Sequence, residues 1–289
     1  MTRYENAVEM RDVSKHYGDF SIRNVNFTVP KGYIVGLVGR NGAGKSTVIN
    51  MLTGGAKPDS GEIYVLGKSV FDKGFDGVKE DIGVVFDYSG YPPALTARDI
   101  GKIMKSIYKR WDGTKYTEYL ERFGVPQDKK FSEFSQGTKM KLSIAVAMSH
   151  GARLLILDEA TNGLDPVARD EAVRMFGEYT RNPENSVLIT THIVSDLEKI
   201  CDYIAVISDG KIVLGGEKDS IEERYMIASL SDEEYSELDK RAVVGMREEK
   251  YGVSVMLDTE ILGKAAERFS GEKANIEDML IFISGGREE

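Results

Sequence analysis

An α/β fold around a phosphate-binding loop is predicted by three features of this chain. These are a Gly-rich loop between an apolar strand and a helix, a second apolar strand ending in two adjacent carboxylates, and alternating strand patterns flanking the loop. The loop, Gly39-Arg40-Asn41-Gly42-Ala43-Gly44-Lys45-Ser46-Thr47, matches the pattern G-x-x-x-x-G-K-[ST] in full. Tyr33 to Val38 before it reads as a short buried strand, and Ser46 to Leu52 after it as the start of a helix. Gly39, Gly42 and Gly44 let the backbone turn tightly enough for successive N–H groups, including those at Asn41 and Thr47, to face phosphate oxygens. Lys45 is placed to reach the β- and γ-phosphates of a nucleoside triphosphate, and the Ser46 hydroxyl to ligate Mg²⁺.

The remaining elements follow along the chain. Residues 3 to about 30 and 61 to 71 carry alternating strand patterns, including Ile22, Val25, Phe27 and Val29, and predict an antiparallel layer beside a parallel core. Ile82 to Phe86 is another apolar strand, followed by Asp87. Helix signals dominate from about Thr96 to Gly151. Thr96 and Asp99 stand at capping spacing, Asp112 to Phe123 is stopped by Gly124, and a helix from Lys139 to Met148 is capped by Ser135 and ended near Gly151. Leu154 to Leu157 is an apolar strand delivering Asp158 and Glu159 to its end. Two acids capping a buried strand is the plain reading of that pair. Beside a phosphate loop, Asp158 is placed to orient metal and water and Glu159 to polarise the attacking water.

Ser186 to Thr190 makes a further buried strand ending at Thr191-His192, ahead of a helix with Ser195 and Glu198 at capping-box spacing. Past Ile221 the pattern changes. Ser231 to Lys240 is a charged helix or linker, Ala242 to Met246 and Val253 to Leu257 are short strands, and Asn275 caps a final apolar helix. This tail reads as a small α+β extension.

Composition excludes several settings. The chain has 289 residues, an ordinary charged fraction and a formal net charge of −9, which argues against general nucleic-acid binding. No apolar run approaches the roughly 18 residues of a membrane span, and Met1 to Met10 lacks the basic-then-apolar pattern of a secretion signal. The expected location is therefore the cytoplasm, with any membrane role supplied by a partner. The single cysteine, Cys201, lies in apolar surroundings and reads as a buried small hydrophobe.

The ordered motifs resemble those of the ATP-binding subunit of an ATP-binding-cassette (ABC) transporter. In that family the order is phosphate loop, Q-loop, signature sequence, Walker B acids, D-loop and switch histidine, and here it runs Gly39, Asp87, Ser135, Asp158, Asp165 and His192. The likeness covers roughly residues 3 to 220, about three quarters of the chain. It implies an ABC-type P-loop fold: a mixed β core, an antiparallel β layer and a helical subdomain at about 96–151, all within residues 1–220, with 221–289 as an accessory domain. It further implies that Tyr17 stacks on adenine, the alternative being a tyrosine that closes a strand. Ser135 and Gly137 match residues that bind the γ-phosphate held by an opposite subunit. Asp165 matches the aspartate linking the two sites, with Pro166 also suited to a helix first turn. His192 matches the histidine that contacts the γ-phosphate and keeps Glu159 and water in register, where a lone histidine would be structural.

Two departures from the family pattern stand out. Asp87 replaces the usual glutamine, and as a hard anionic oxygen ligand it is expected to bind Mg²⁺ or its water. The signature reads FSQGT where LSGGQ is common, so Gln136 replaces a glycine and Thr138 a glutamine. One phosphate loop and one signature imply a homodimer with two composite ATP sites. The family also implies a separate transmembrane permease, whose cytoplasmic helix docks near Asp87 to Pro93 unless that stretch is a packed surface loop. The chain would then sit at the inner face of the membrane. The tail, with Trp111-Asp112 and Arg122-Phe123-Gly124, is similar to exporter ATPases of peptide export or antimicrobial resistance. Dimer contact, regulation and plain stabilisation are its open roles. The rival reading is a soluble ABC-type switch on ribosome or DNA, which usually carries two cassettes or a long coiled coil, and neither pattern is present here.

Overall fold

The computed structural model describes residues 5–87 and 90–285. Its centre is a six-stranded sheet in the order Lys211–Glu217, Tyr203–Ser208, Ile34–Val38, Ser186–Thr190, Leu154–Asp158 and Ile82–Val85. The last five run parallel, and Lys211–Glu217 closes one edge antiparallel to its neighbour. Ile34–Val38, Leu154–Asp158 and Ser186–Thr190 are buried at every position, which is why they read as continuous apolar runs without alternation. Four of these strands are adjacent, and their C-terminal ends carry the phosphate loop, His192, Asp158–Glu159 and Asp87. Ligands of open α/β sheets gather outside such carboxyl ends.

The expected antiparallel layer forms from Asn6–Tyr17, Phe20–Pro30, Ser60–Val65 and Lys68–Ser69. Its apolar face, with Val8, Met10, Ile22 and Val25, shares one core with Leu37, the phosphate-loop helix Lys45–Leu52 and Ile207.

Between the central strands Ile82–Val85 and Leu154–Asp158 the chain makes three main helices, Ala97–Ile107, Gly113–Arg122 and Gln136–Met148. Each starts where its sequence places a cap. Thr96 and Asp99 form a reciprocal capping box, Asp112 accepts from the N–H groups of Thr114 and Lys115, and Ser135 accepts from Thr138 N–H. Leu142 through Met148 are buried, as the apolar run predicts. The C-terminus of this helix is closed by Ser149, with Gly151 in the left-handed region (φ 68°) just beyond.

The tail builds a third sheet, fully antiparallel, in the order Val243–Glu249, Gly252–Asp258, Tyr225–Leu230 and Gly271–Lys273. Its last helix, Ile276–Gly285, begins at Asn275, whose side chain accepts from Asp278 N–H while its own N–H donates to the Asp278 carboxylate. Met279 and Phe282 of this helix belong to the same core as Leu197, Cys201 and Ile204. Burial pushes the Cys201 thiol pKa up, which keeps it an inert packing group.

Candidate ATP site

The phosphate loop runs from the end of Ile34–Val38 to the helix Lys45–Leu52 in the strand-turn-helix context expected. Gly44 takes φ 117°, and a Cβ at Gly39 would fall 2.3 Å from the Ile207 carbonyl oxygen, so side chains there would break the turn. The loop opens into a cavity of about 700 Å³ walled by Asn41, Gly42, Gly44, Lys45, Ser46 and Thr47. Asp87, Asp158 and Glu159 face the loop across it, and Phe20 closes another side.

Lys45 is 6% exposed, and its ammonium is satisfied by the loop itself. Nζ donates to the Gly39 carbonyl at 2.7 Å and the Arg40 carbonyl at 3.3 Å, and lies 3.9 Å from Glu159 Oε1. A buried ammonium must be paired. A phosphate in the loop would offer Lys45 anionic partners in place of these carbonyls.

Asp158 and Thr190 are paired across neighbouring strands, and the Thr190 hydroxyl donates to Asp158 Oδ1 at 2.7 Å. This leaves Asp158 Oδ2 free of that bond. Glu159 follows in the left-handed region at φ 52°. A non-glycine residue there is strained, and such strain persists only where the surroundings over-determine it. Here the Glu159 N–H is shared between the Thr190 carbonyl (3.0 Å) and hydroxyl (3.3 Å), and its carbonyl accepts from Asn162 N–H at 2.9 Å. The backbone turn carries the Glu159 side chain to His192, whose Nδ1 lies 2.8 Å from Oε2.

The expected Ser195–Glu198 capping box is not formed, which corrects the sequence reading of the helix after His192. That helix spans Val194–Ile200 with Ile193 at its N-cap and no side-chain cap. The Thr191 hydroxyl instead accepts from Ile193 N–H at 3.0 Å, so the local turn is satisfied before Ser195 is reached.

Ser135, Gly137, Asp165 and Tyr17 do not wall this cavity. Ser135 Oγ accepts from Thr138 N–H at 3.2 Å and shares a hydrogen bond with the Thr138 hydroxyl at 2.8 Å. Asp165 caps the helix Pro166–Tyr179 by accepting from Ala168 N–H at 3.0 Å, and it receives Lys141 Nζ at 3.2 Å. Those two contacts, the backbone bond first, hold its carboxyl below the usual range. Tyr17 ends its strand 43% exposed, with Lys15 Nζ 5.3 Å from its ring centre. Tyr88 and Ser89 of the expected docking loop lie outside the described residues.

Sequence reasoning missed Phe20, Thr190 and Gln136 as neighbours of the site. Thr190 carried a signal, being the polar end of an otherwise apolar strand two residues before His192. Phe20 and Gln136 reach the site through pairings that no local pattern announces.

The donor set fits a hard cation shared with a phosphate. Among the described residues no three His, Cys, Asp or Glu converge to hold a metal alone. Ser46, Asp158 and Asp87 nonetheless share the cavity walls, which suits Mg²⁺, an ion that takes one or two carboxylates and completes its shell with phosphate oxygens and water.

The family described as ABC transporter matches residues 22–162. A bacitracin transport ATP-binding protein, BcrA of Bacillus licheniformis, is 35% identical over 232 residues, covering 78% of this chain and 76% of that protein. The lantibiotic transport ATP-binding protein SrtF of Streptococcus pyogenes is 34% identical over 221 residues, covering 74% of this chain and 93% of its own length. Among solved structures, an ATP-binding subunit of an ABC transporter superposes with a TM-score of 0.69 at 27% identity, covering 75% of this chain and 92% of that one. The cassette MJ0796, solved as a post-hydrolysis dimer with ADP and Pi, shares the fold with a TM-score of 0.65 at 22% identity, over 73% of this chain and 98% of its own. The chain belongs to the ABC transporter ATP-binding family and is an ATPase of that family.

Proposed function

We propose that this ATPase drives the export of amphipathic peptides or hydrophobic toxins through a separate membrane permease, working as a homodimer at the inner face of the membrane. The observation that carries the dimer is a separation. The phosphate loop, Asp87, Asp158 and Glu159 wall one cavity, whereas Ser135 and Gly137, at the start of a 13-residue helix, lie outside its walls. A helix start favours an anion, so the γ-phosphate held by one copy is read by Ser135 and Gly137 of the other, with Asp165 between the two sites. Residues 1–220 would form the ATPase unit and 221–289 an accessory unit. Peptide cargo is supported by the bacitracin and lantibiotic transport proteins the chain resembles.

ATP would stack its base near Tyr17 and lay its phosphates in the loop. Lys45 leaves the Gly39 and Arg40 carbonyls for the β- and γ-phosphates. Glu159 Oε2 is held by His192, so Oε1 is the oxygen that accepts a proton from the attacking water. As that water bonds to the γ-phosphorus, the β–γ bridging oxygen leaves with the bond's electron pair. Ser46, Asp158 and Asp87 would hold Mg²⁺, which would supply charge neutralisation at the phosphates. Closure of two copies over two ATP molecules performs the mechanical step, and hydrolysis weakens closure and resets it. Among the described residues no helix is long and apolar enough to cross a membrane, so the transport path is assigned to the permease. The permease's cytoplasmic helix would dock at the stretch Asp87 to Pro93, as the resemblance implies; a groove of about 340 Å³ lined by Thr53, Lys79, Ile82, Val84, Phe86 and Tyr108 lies just before it in the chain.

The test is to purify the chain with its permease, reconstitute both in vesicles and measure ATPase activity with candidate cargo. Mg²⁺-dependent activity that rises several-fold with an amphipathic peptide is expected. Activity indifferent to every peptide but raised by ribosomes or DNA would overturn the reading.

A further inference from the structure

We propose that Gln136 is a positioning residue that sets the orientation of Asp87, an inference resting on the reading of Asp87 as a Mg²⁺ ligand. Two of the positions at which this chain departs from the family pattern, Asp87 and Gln136, 49 residues apart in sequence, are in contact. Gln136 Nε2 donates to the Asp87 backbone carbonyl at 3.3 Å. Glycine, the residue usual at this place in the signature, has no side chain to make that bond.

The base from which Gln136 reaches is itself fixed. A Cβ at Gly137 would lie 2.7 Å from the Gly163 carbonyl oxygen, and one at Gly163 would lie 3.7 Å from Gln136 Cγ. The start of the helix Gln136–Met148 is thus seated against the turn that leads to Asp165, and the Gln136 amide spans from that seat to Asp87. Among the described residues Asp87 makes no ion pair, and it lines the phosphate cavity together with Ser46 and Asp158. A single exposed hydrogen bond biases one orientation by about two- to tenfold. The bond also ties the cation side of one ATP site to the helix start whose Ser135 serves the other site.

Glu at this position keeps the size of Gln but, when ionised, only accepts hydrogen bonds. Q136E and Q136G would be made in the full chain, each alone and combined with D87Q. With a non-hydrolysable ATP analogue present, Mg²⁺ is titrated and the thermal unfolding midpoint followed, alongside the Mg²⁺ dependence of ATPase activity. Both Gln136 variants are expected to raise the half-maximal Mg²⁺ concentration about two- to tenfold in both readouts, with the metal-free midpoint unchanged. In the D87Q background neither is expected to add a further shift. Equal shifts with and without Asp87, or no shift where D87Q alone gives one, would overturn the role of Gln136. D87Q leaving the Mg²⁺ requirement unchanged would instead remove Asp87 from the metal shell, and the inference with it.

Discussion

His192 and Glu159 meet twice: the His192 ring nitrogen Nδ1 lies 2.8 Å from Glu159 Oε2, and the His192 backbone N–H donates to the same oxygen at 3.3 Å. With Glu159 ionised, Nδ1 carries the proton and donates. The bonds occupy one carboxylate oxygen, and in the proposed mechanism the other, Oε1, faces the attacking water. The backbone contact survives loss of the ring, so His192→Ala should misorient the carboxylate without displacing the chain. Turnover is expected to fall about 100-fold, the lower end for a positioned acid–base pair, while ATP affinity changes by less than about threefold. Steady-state phosphate release with nucleotide binding measured in parallel checks this; equal losses in both would assign His192 to binding instead.

His150 gives a pH dependence of stability. Its ring is buried, stacked 4.0 Å from Tyr108, with Nδ1 3.3 Å from the Val146 carbonyl and Nε2 3.1 Å from the Ile82 carbonyl. Burial holds its pKa below the ordinary 6.5, the two carbonyls and Glu80 pulling the other way and Arg110 reinforcing the shift. The unfolded chain therefore takes up a proton near pH 6.5 that the folded chain resists. This part of the stability is complete above about pH 6.5 and is lost as pH falls toward the folded-state pKa. Urea unfolding at steps between pH 7.5 and 5.5 should show a declining midpoint in the natural chain and a flatter one in His150→Gln. Parallel slopes in the two proteins would take His150 out of the pH response.

The tail is bound into the main core through Met279, which is fully buried. Met279→Ala should cost about 2–5 kcal/mol, the range for a buried large-to-small change. Because it shares one core with Leu197 of the helix that follows His192, unfolding should stay a single transition at a lower temperature. Calorimetry resolving two transitions, with the upper one unmoved, would show that the tail folds independently.

Local chemistry was the legible part of this molecule. Caps at Thr96, Asp112, Ser135 and Asn275 act on N–H groups three residues or fewer away, so sequence spacing reports them directly. Buried parallel strands announce themselves as unbroken apolar runs. The capping box at Ser195 failed because Thr191, four residues earlier, had already satisfied the turn. Sheet order was not legible: Tyr203–Ser208 lies beside Ile34–Val38, and that adjacency depends on pairing across most of the chain. The same is true of Phe20 at the cavity wall and Gln136 at the Asp87 carbonyl. The motifs identified the chemistry, and long-range packing determined which neighbours attend it.

Glu159 is proposed to take the proton from water in a site completed by a second copy of the chain. The decisive measurement is phosphate release by Glu159→Gln at saturating ATP and Mg²⁺. Glutamine keeps the size and polarity of the side chain but cannot accept the proton, so release is expected to fall by about 100- to 10,000-fold as the protein accumulates as an ATP-bound dimer. Release at the natural rate from Glu159→Gln would remove Glu159 from the role of base.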